Sequence, residues 1–206
     1  MIDGSERYAA RLEIDYPEQL NRLTTLLRVI WVLPILIVLV FVSGSESWTI
    51  VTGSGGGLAA GLSVATALMI VFRQVYPRWW FDFARELMRF SSRVAAYFIL
   101  LTDKYPSTVD EQSVHLEIDY PDVEQDLNRW LPLVKWLLAI PHYIVLFFLG
   151  ILAVIAVVVA WFAILFTGRY PKGLFDFVVG VGRWGLRVQA YSFLLVTDRY
   201  PPFRLS

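Results

Sequence analysis

Cysteine is missing from all 206 residues, which excludes disulfides and thiolate metal sites and leaves the redox compartment undecided. Charge is scarce. Asp, Glu, Lys and Arg make up 17% of the chain, against the roughly 25% of a typical soluble domain. The acids and bases cancel to a net charge of +0, so no global field recruits nucleic acid or acidic substrates. There are only two histidines. No Gly-Lys-Ser/Thr follows the glycine-rich stretch at 52–57, which therefore reads as a flexible loop rather than a phosphate cradle. Neither Gly-x-Ser-x-Gly nor His-Glu-x-x-His occurs, and no cluster of acids sits within the apolar runs. Without such groups no catalytic mechanism is expected, and no metal or cofactor. A cleavable signal peptide is also missing: the polar start, with charges of both signs, implies that the chain begins on the side where it is made.

What the chain does have is apolar. Hydrophobic residues form 57% of it and the mean hydropathy is +0.56. Eight Trp, ten Tyr and fourteen Phe suit a protein anchored at two membrane interfaces. An uncharged run at 29–42, extended by Leu26 and Leu27, is long enough to cross a bilayer, with Pro34 a possible kink. A second run covers 49–72, its firm helix being 58–72. A third covers 136–166. As one helix it would be about 46 Å long, where a crossing needs about 30 Å. It reads as a tight hairpin broken near Gly150 in preference to one long helix.

The chain repeats itself. Leu-Glu-Ile-Asp-Tyr-Pro occurs identically as Leu12 to Pro17 and Leu116 to Pro121, alternating as a short strand does. Asn21-Arg22 and Arg28 recur as Asn128-Arg129 and Lys135, and Pro34 recurs as Pro141. Tyr76-Pro77, Phe81-Asp82-Phe83 and Thr102-Asp103-Lys104-Tyr105-Pro106 recur as Tyr170-Pro171, Phe175-Asp176-Phe177 and Thr197-Asp198-Arg199-Tyr200-Pro201. The organisation is a polar lead at 1–11, repeat 1 at 12–107, a linker at 108–115 and repeat 2 at 116–206. In each repeat an amphipathic helix follows Tyr-Pro. In the first, Phe81, Ala84, Leu87, Met88 and Ser91 oppose Asp82, Arg85, Arg89 and Arg93. The apolar stretches at 95–103 and 190–198 fit either a strand or a helix continuation. Polar motifs on one side of both copies imply an even number of crossings per copy. The expected fold is mainly α and integral-membrane: four transmembrane helices in two parallel, pseudo-symmetric hairpin repeats, each with a short cytoplasmic strand and an interfacial helix. Lys and Arg concentrate on one side, whereas the loop at 43–47 offers only Glu46, which places both termini in the cytoplasm.

The segments Trp136 to His142, Phe162 to Pro171 and Leu195 to Phe203 closely resemble a bacterial integral-membrane family, domain of unknown function 4389. Both halves carry the pattern. The first departs from it by Ile35 where the second has His142, by Arg73-Gln74-Val75 for Thr167-Gly168-Arg169, and by its inserted loop. The resemblance implies a multi-pass protein of the bacterial plasma membrane, often with tandem copies, and implies no reaction, cofactor or partner.

Asp82, Arg89 and Arg93 recur as Asp176, Arg183 and Arg187, three residues on one helical face. The spacing is too long for easy pairing within one helix. Pairing of Asp82 with Arg183 or Arg187, and of Asp176 with Arg89 or Arg93, is therefore expected across the repeats. The alternative is that these arginines, with Arg169, contact anionic lipid headgroups while the aspartates cap helix starts. His142 lies near the start of an apolar helix. Its only possible histidine partner, His115, lies in the polar linker, so a hydrogen bond to a neighbouring helix is expected rather than a ligand role. The functional expectation is a non-catalytic membrane subunit that scaffolds or stabilises a larger complex, with the lipid bilayer, other membrane subunits and anionic lipids as partners. The alternative is a lipid-binding or small-solute transport protein that uses the groove between the repeats.

Overall fold

The computed structural model describes residues 8–43, 58–107, 110 and 112–206. The expectations for the outer loop at 43–47 and for the glycine-rich stretch at 52–57 fall almost wholly outside these residues. The described chain is mainly helical. In order it runs β1 (Ala10–Ile14), α1 (Arg22–Ser43), α2 (Leu58–Arg73), α3 (Arg78–Phe98), β2 (Val114–Ile118), a 3-10 turn at Leu131–Leu133, α4 (Lys135–Leu138), α5 (Ile140–Thr167) and α6 (Lys172–Ser192).

The duplicated hexapeptide pairs with itself. β1 and β2 run antiparallel with Leu12 opposite Leu116, Ala10 opposite Ile118 and Ile14 opposite Val114. Two copies of one strand paired antiparallel about an equivalent residue are related by a local two-fold, which here passes between the two leucines. In β2 the alternation is clean: Val114, Leu116 and Ile118 are buried, His115 and Glu117 exposed. On the exposed face Arg11 forms ion pairs with Glu117 at 3.1 Å and with Asp119 at 2.8 Å. Both strands end before a Tyr-Pro, where proline removes the next ladder donor.

Each strand packs on the other repeat. β1 lies on α6 and β2 on α3. The Arg183 Nε donates to the Leu12 carbonyl at 2.9 Å, and the Arg89 Nε donates to the Leu116 carbonyl at 2.9 Å. Tyr16 donates its hydroxyl to the Tyr170 carbonyl, and Tyr120 donates to the Tyr76 carbonyl, each at 2.5 Å. The Tyr76 hydroxyl in turn reaches the Leu194 carbonyl at 3.1 Å. The largest buried cluster mixes the copies: Ile70, Tyr76 and Phe81 pack with Leu186, Ala190 and Leu195. The repeats therefore exchange strands and share one core.

α3 and α6 flank the sheet; α1 packs on α3, α5 on α6, and α1 against α5. The start of α5 meets the end of α6, where Ala139 and Tyr143 join Trp184, Val188 and Tyr191. Its end meets the start of α6, where Ala160 and Ile164 join Phe175 and Val179.

Two sequence expectations are corrected here. The stretch at 136–166 is no hairpin: α5 is one unbroken helix of 28 residues. A lone helical glycine costs about 1 kcal/mol relative to alanine, too little to break it. A turn inside an apolar run would also leave backbone groups unbonded. Its boundaries follow the usual asymmetry, with Pro141 at the start and Gly168 in the left-handed conformation (φ 74°) as the cap. With one helix where a hairpin was expected, four crossings are not supported: among the described residues one helix, α5, is long and apolar enough to span a membrane. The stretches at 95–103 and 190–198 are helix ends followed by sharp turns. Leu100 (φ 69°) and Leu195 (φ 59°) sit at equivalent left-handed positions, both buried. The Leu101 amide closes the first turn on the Ala96 carbonyl at 2.9 Å, a Schellman-type reversal built without glycine.

Candidate functional site: two buried ion pairs at the repeat ends

The reversals at Leu100 and Leu195 bring Thr102-Asp103 and Thr197-Asp198 back to the feet of α1 and α4. There Arg28 pairs with Asp103, and Lys135 pairs with Asp198 at 2.6 Å. The two pairs are copies of one design. Asp103 accepts the Asn21 backbone amide at 2.6 Å, and Asp198 accepts the Asn128 amide at 2.5 Å. Each asparagine then offers its side-chain oxygen to the amide two residues on, Leu23 at 2.9 Å and Trp130 at 2.9 Å, an Asx turn that starts the next element. The threonine carbonyls accept the cations: Arg28 reaches Thr102 and Lys135 reaches Thr197, each at 2.9 Å. The threonine hydroxyls accept the amides of Lys104 and Arg199, each at 3.1 Å. An aromatic ring covers each cation: Arg28 lies 4.5 Å from the Tyr97 centroid, Lys135 5.2 Å from that of Tyr191.

The cations are deeply buried, Lys135 at 0% exposure. Burial pushes its ammonium below the usual lysine range, while the Asp198 hydrogen bond and charge push it back. The bonds to carboxylate and carbonyl keep such a charge tolerable in a protein interior. Chemically this arrangement locks chain segments together. It presents no nucleophile to solvent, and among the described residues no group of three or more His, Asp or Glu is placed to hold a metal.

The structure places the expected site residues differently from their anticipated pairing. Asp82 pairs within its own helix, with Arg85 at 3.1 Å and Arg78 at 3.9 Å. Asp176 is exposed and has no ion pair among the described residues. The cross-repeat pairing of these aspartates with Arg89, Arg93, Arg183 and Arg187 is not formed, because the two-stranded sheet lies between α3 and α6. Those arginines bond to backbone carbonyls instead: Arg89 to Leu116 and Arg183 to Leu12, as above, and Arg93 to Ser107 at 2.7 Å. Arg187 binds Ser206 at 2.9 Å and also Arg204, tying the C-terminal segment to α6. Burial lowers the Arg187 guanidinium below its ordinary value, with Arg204 adding to the effect. Neither aspartate caps its helix, since Pro77 and Pro171 hold the cap positions with no side-chain bond.

His142 is wholly buried and bonded to the neighbouring α6: its Nδ1 accepts the Trp184 indole N–H at 3.1 Å. Its ring stacks on Phe203 with centroids 4.0 Å apart. A ring whose Nδ1 accepts carries its proton on Nε2 when neutral. Arg169 is exposed at the end of α5.

The Thr-Asp and Asn-Arg motifs recur in the sequence, but nothing local in either motif reveals this role. The available signal was joint recurrence. A cation six residues after Arg22 and after Arg129 repeats together with Thr-Asp ahead of Tyr-Pro, while no helical period links the two motifs.

Residues 130–204 match the model of a family described as a domain of unknown function (DUF4389), which supports that family for the second repeat. The match covers the Lys135–Asp198 pair and both long helices of that repeat. No curated protein and no solved structure matches the chain.

Proposed function

We propose that this protein is a non-catalytic membrane module that scaffolds or stabilises a larger membrane complex. It is immersed through α5 and the apolar faces of α1 and α2, and its termini and sheet stay in the cytoplasm. One observation carries the reading: apolar surface is segregated. α5 has a mean hydropathy of 3.1 over its spanning window, of which only 11% is buried. Phe147, Phe148, Phe162 and Phe166 stand exposed along it, and Leu23, Ile30, Trp31 and Leu33 along α1. The sheet, separated from α5 by α6, instead exposes Glu117 and Asp119, both paired with the partly buried Arg11. At about 42 Å, α5 exceeds the roughly 30 Å hydrocarbon core, apolar length enough to be immersed in it. The multi-pass topology, in which α1 and α2 form the pair of crossings that returns the chain to the cytoplasm, is part of this proposal.

A scaffold needs rigidity more than chemistry, and the ion pairs and exchanged strands supply it. The alternative, a lipid-binding or transport protein, requires a groove that encloses its ligand between the repeats; the sheet and the shared core fill the centre and leave small clefts at the edges. Purification in native nanodiscs separates the readings. The scaffold reading expects a membrane protein partner at fixed stoichiometry. A retained lipid or solute with no protein partner would support the alternative.

A further inference from the structure

The intertwined repeats create two clefts of opposite charge, at related but not identical places. One lies beyond α2, about 390 Å³ in volume, with Gln74, Tyr76, Tyr120, Asp122 and Glu124 among its walls. The other lies beyond α5, about 400 Å³, walled by Gln19, Leu20, Arg22, Thr167, Gly168 and Arg169. Gln74 and Gly168 occupy the same place in their repeats, and both are left-handed, with φ of 49° and 74°. The first cleft carries two acids, the second two arginines.

We infer that the cleft beyond α5 is a binding site for a phosphate-bearing anion, held between the Arg22 and Arg169 guanidiniums. The two repeats differ in how they satisfy a helix end. In the second repeat, Arg129 donates to the α2 carbonyls of Val71 at 2.5 Å and Phe72 at 3.2 Å. Arg22, its copy, faces a terminus already closed: the Gly168 amide returns to Ile164 at 2.7 Å, and the Gly168 carbonyl accepts the Leu20 amide at 2.9 Å. The Arg22 guanidinium is left without a hydrogen bond or ion pair among the described residues, and so is that of Arg169. The Thr167 hydroxyl is already engaged by the Ala163 carbonyl at 2.7 Å, while the exposed Gln19 amide has no such bond and supplies a further donor.

Guanidiniums present paired N–H donors that match phosphate oxygens. The helix end opposes an anion with about half a negative charge, and two full positive charges outweigh it. Phe166, 78% exposed, immediately precedes Thr167 of the cleft wall. If α5 is immersed as proposed above, the cleft lies at headgroup level, so the anion is either a lipid phosphate diester or free phosphate reaching the same groups.

The test uses the full chain in neutral detergent. Thermal midpoints are measured against added phosphatidylglycerol, phosphatidylcholine and inorganic phosphate, for wild type, Arg22→Gln/Arg169→Gln and Asp122→Asn/Glu124→Gln. Both arginines are exposed and unpartnered, so their variant should melt like wild type without ligand. The expected result is a midpoint that rises with phosphatidylglycerol or with phosphate but not with phosphatidylcholine. The arginine variant should need at least about tenfold more ligand, as expected for losing bonds to a charged group, and the acid variant should respond as wild type does. A response to phosphatidylglycerol alone identifies a lipid headgroup; a response to inorganic phosphate as well identifies free phosphate. Equal responses of wild type and the arginine variant to both probes overturn the site. Resistance to alkaline washing from phosphatidylcholine vesicles tests immersion separately: a protein that washes off yet still responds to phosphate refutes the membrane reading and keeps the site.

Discussion

Replacing Asp198 by Asn should be among the most damaging single changes in this chain. Asp198 holds the Lys135 ammonium at 2.6 Å, and the lysine has no exposed surface through which water could replace it. Removing one partner of a buried pair costs about 3–5 kcal/mol, because the other charge is left uncompensated. Asp198 also accepts the Asn128 amide at 2.5 Å, a bond that the asparagine oxygen can still accept, so the loss lies in the charge. For a chain of this size each kcal/mol moves the melting temperature by about 2–4 °C, and a fall of about 6–20 °C follows. The sign of the pH effect is also defined. Burial depresses Lys135 below its ordinary 10.5, and without Asp198 the carboxylate no longer offsets that depression. The unfolded chain then binds the proton more tightly than the folded one, so the variant regains stability as pH rises towards 10.5. Lys135→Met in the same background should recover part of the loss at neutral pH. Asp82→Asn is the contrast: its pair with Arg85 is 40% exposed on the acid side, and such pairs contribute at most about 0.5 kcal/mol. The assay is thermal unfolding in one detergent, read by circular dichroism. An Asp198→Asn protein melting with Asp82→Asn, or falling further as pH rises, would refute the reasoning.

Gln74→Gly should stabilise by roughly 0.5–1 kcal/mol, the relief of a left-handed non-glycine residue less the added freedom of the unfolded chain; Gly168→Ala, at the equivalent position, should destabilise, and denaturant titration reads both. Burial pushes the Tyr76 hydroxyl up to about 12 from 10.0, so its contribution is complete below pH 10 and disappears as pH rises through 12. That contribution is about 3 kcal/mol, and burial moves Tyr8 and Tyr170 in the same direction. Phenolate absorbance should therefore appear together with unfolding, and gradual titration of these tyrosines in a folded protein would count against their burial. The isolated second repeat with its linker, 108–206, lacks the Leu12 carbonyl for Arg183 and the Tyr16 hydroxyl for the Tyr170 carbonyl. It should dimerise by pairing β2 with its own copy, which mass measurement in detergent detects; a stable monomer would contradict strand exchange.

Both strands and the amphipathic character of α3 were readable because they rest on local pattern: an identical hexapeptide, period-two alternation, and a 3.6-residue rhythm from Phe81 to Ser91. Long-range partners were not readable. Asp82, Arg89 and Arg93 do share a helical face, but sequence cannot show that the sheet separates this face from its twin, or that Arg89 answers a strand carbonyl. Periodicity also carries no sign of a left-handed leucine, so the turns at Leu100 and Leu195, and with them the return of Asp103 and Asp198 to Arg28 and Lys135, stayed hidden. At Gly150 the length of the apolar run argued for a break that the energetics of one glycine do not support.

Immersion of α5 beside a water-exposed sheet is the central claim, and the cysteine-free chain allows it to be tested one position at a time. Single cysteines at Phe147, Ile151, Ile155 and Phe162 on α5, and at Glu117 and Asp119 beside the sheet, would be challenged with a membrane-impermeant maleimide in intact vesicles and again after detergent solubilisation. The account predicts that the α5 positions resist labelling until the bilayer is dissolved, while the sheet positions react in any preparation that exposes the cytoplasmic side. Labelling along α5 as rapid as at Glu117, in the same vesicles, would contradict it.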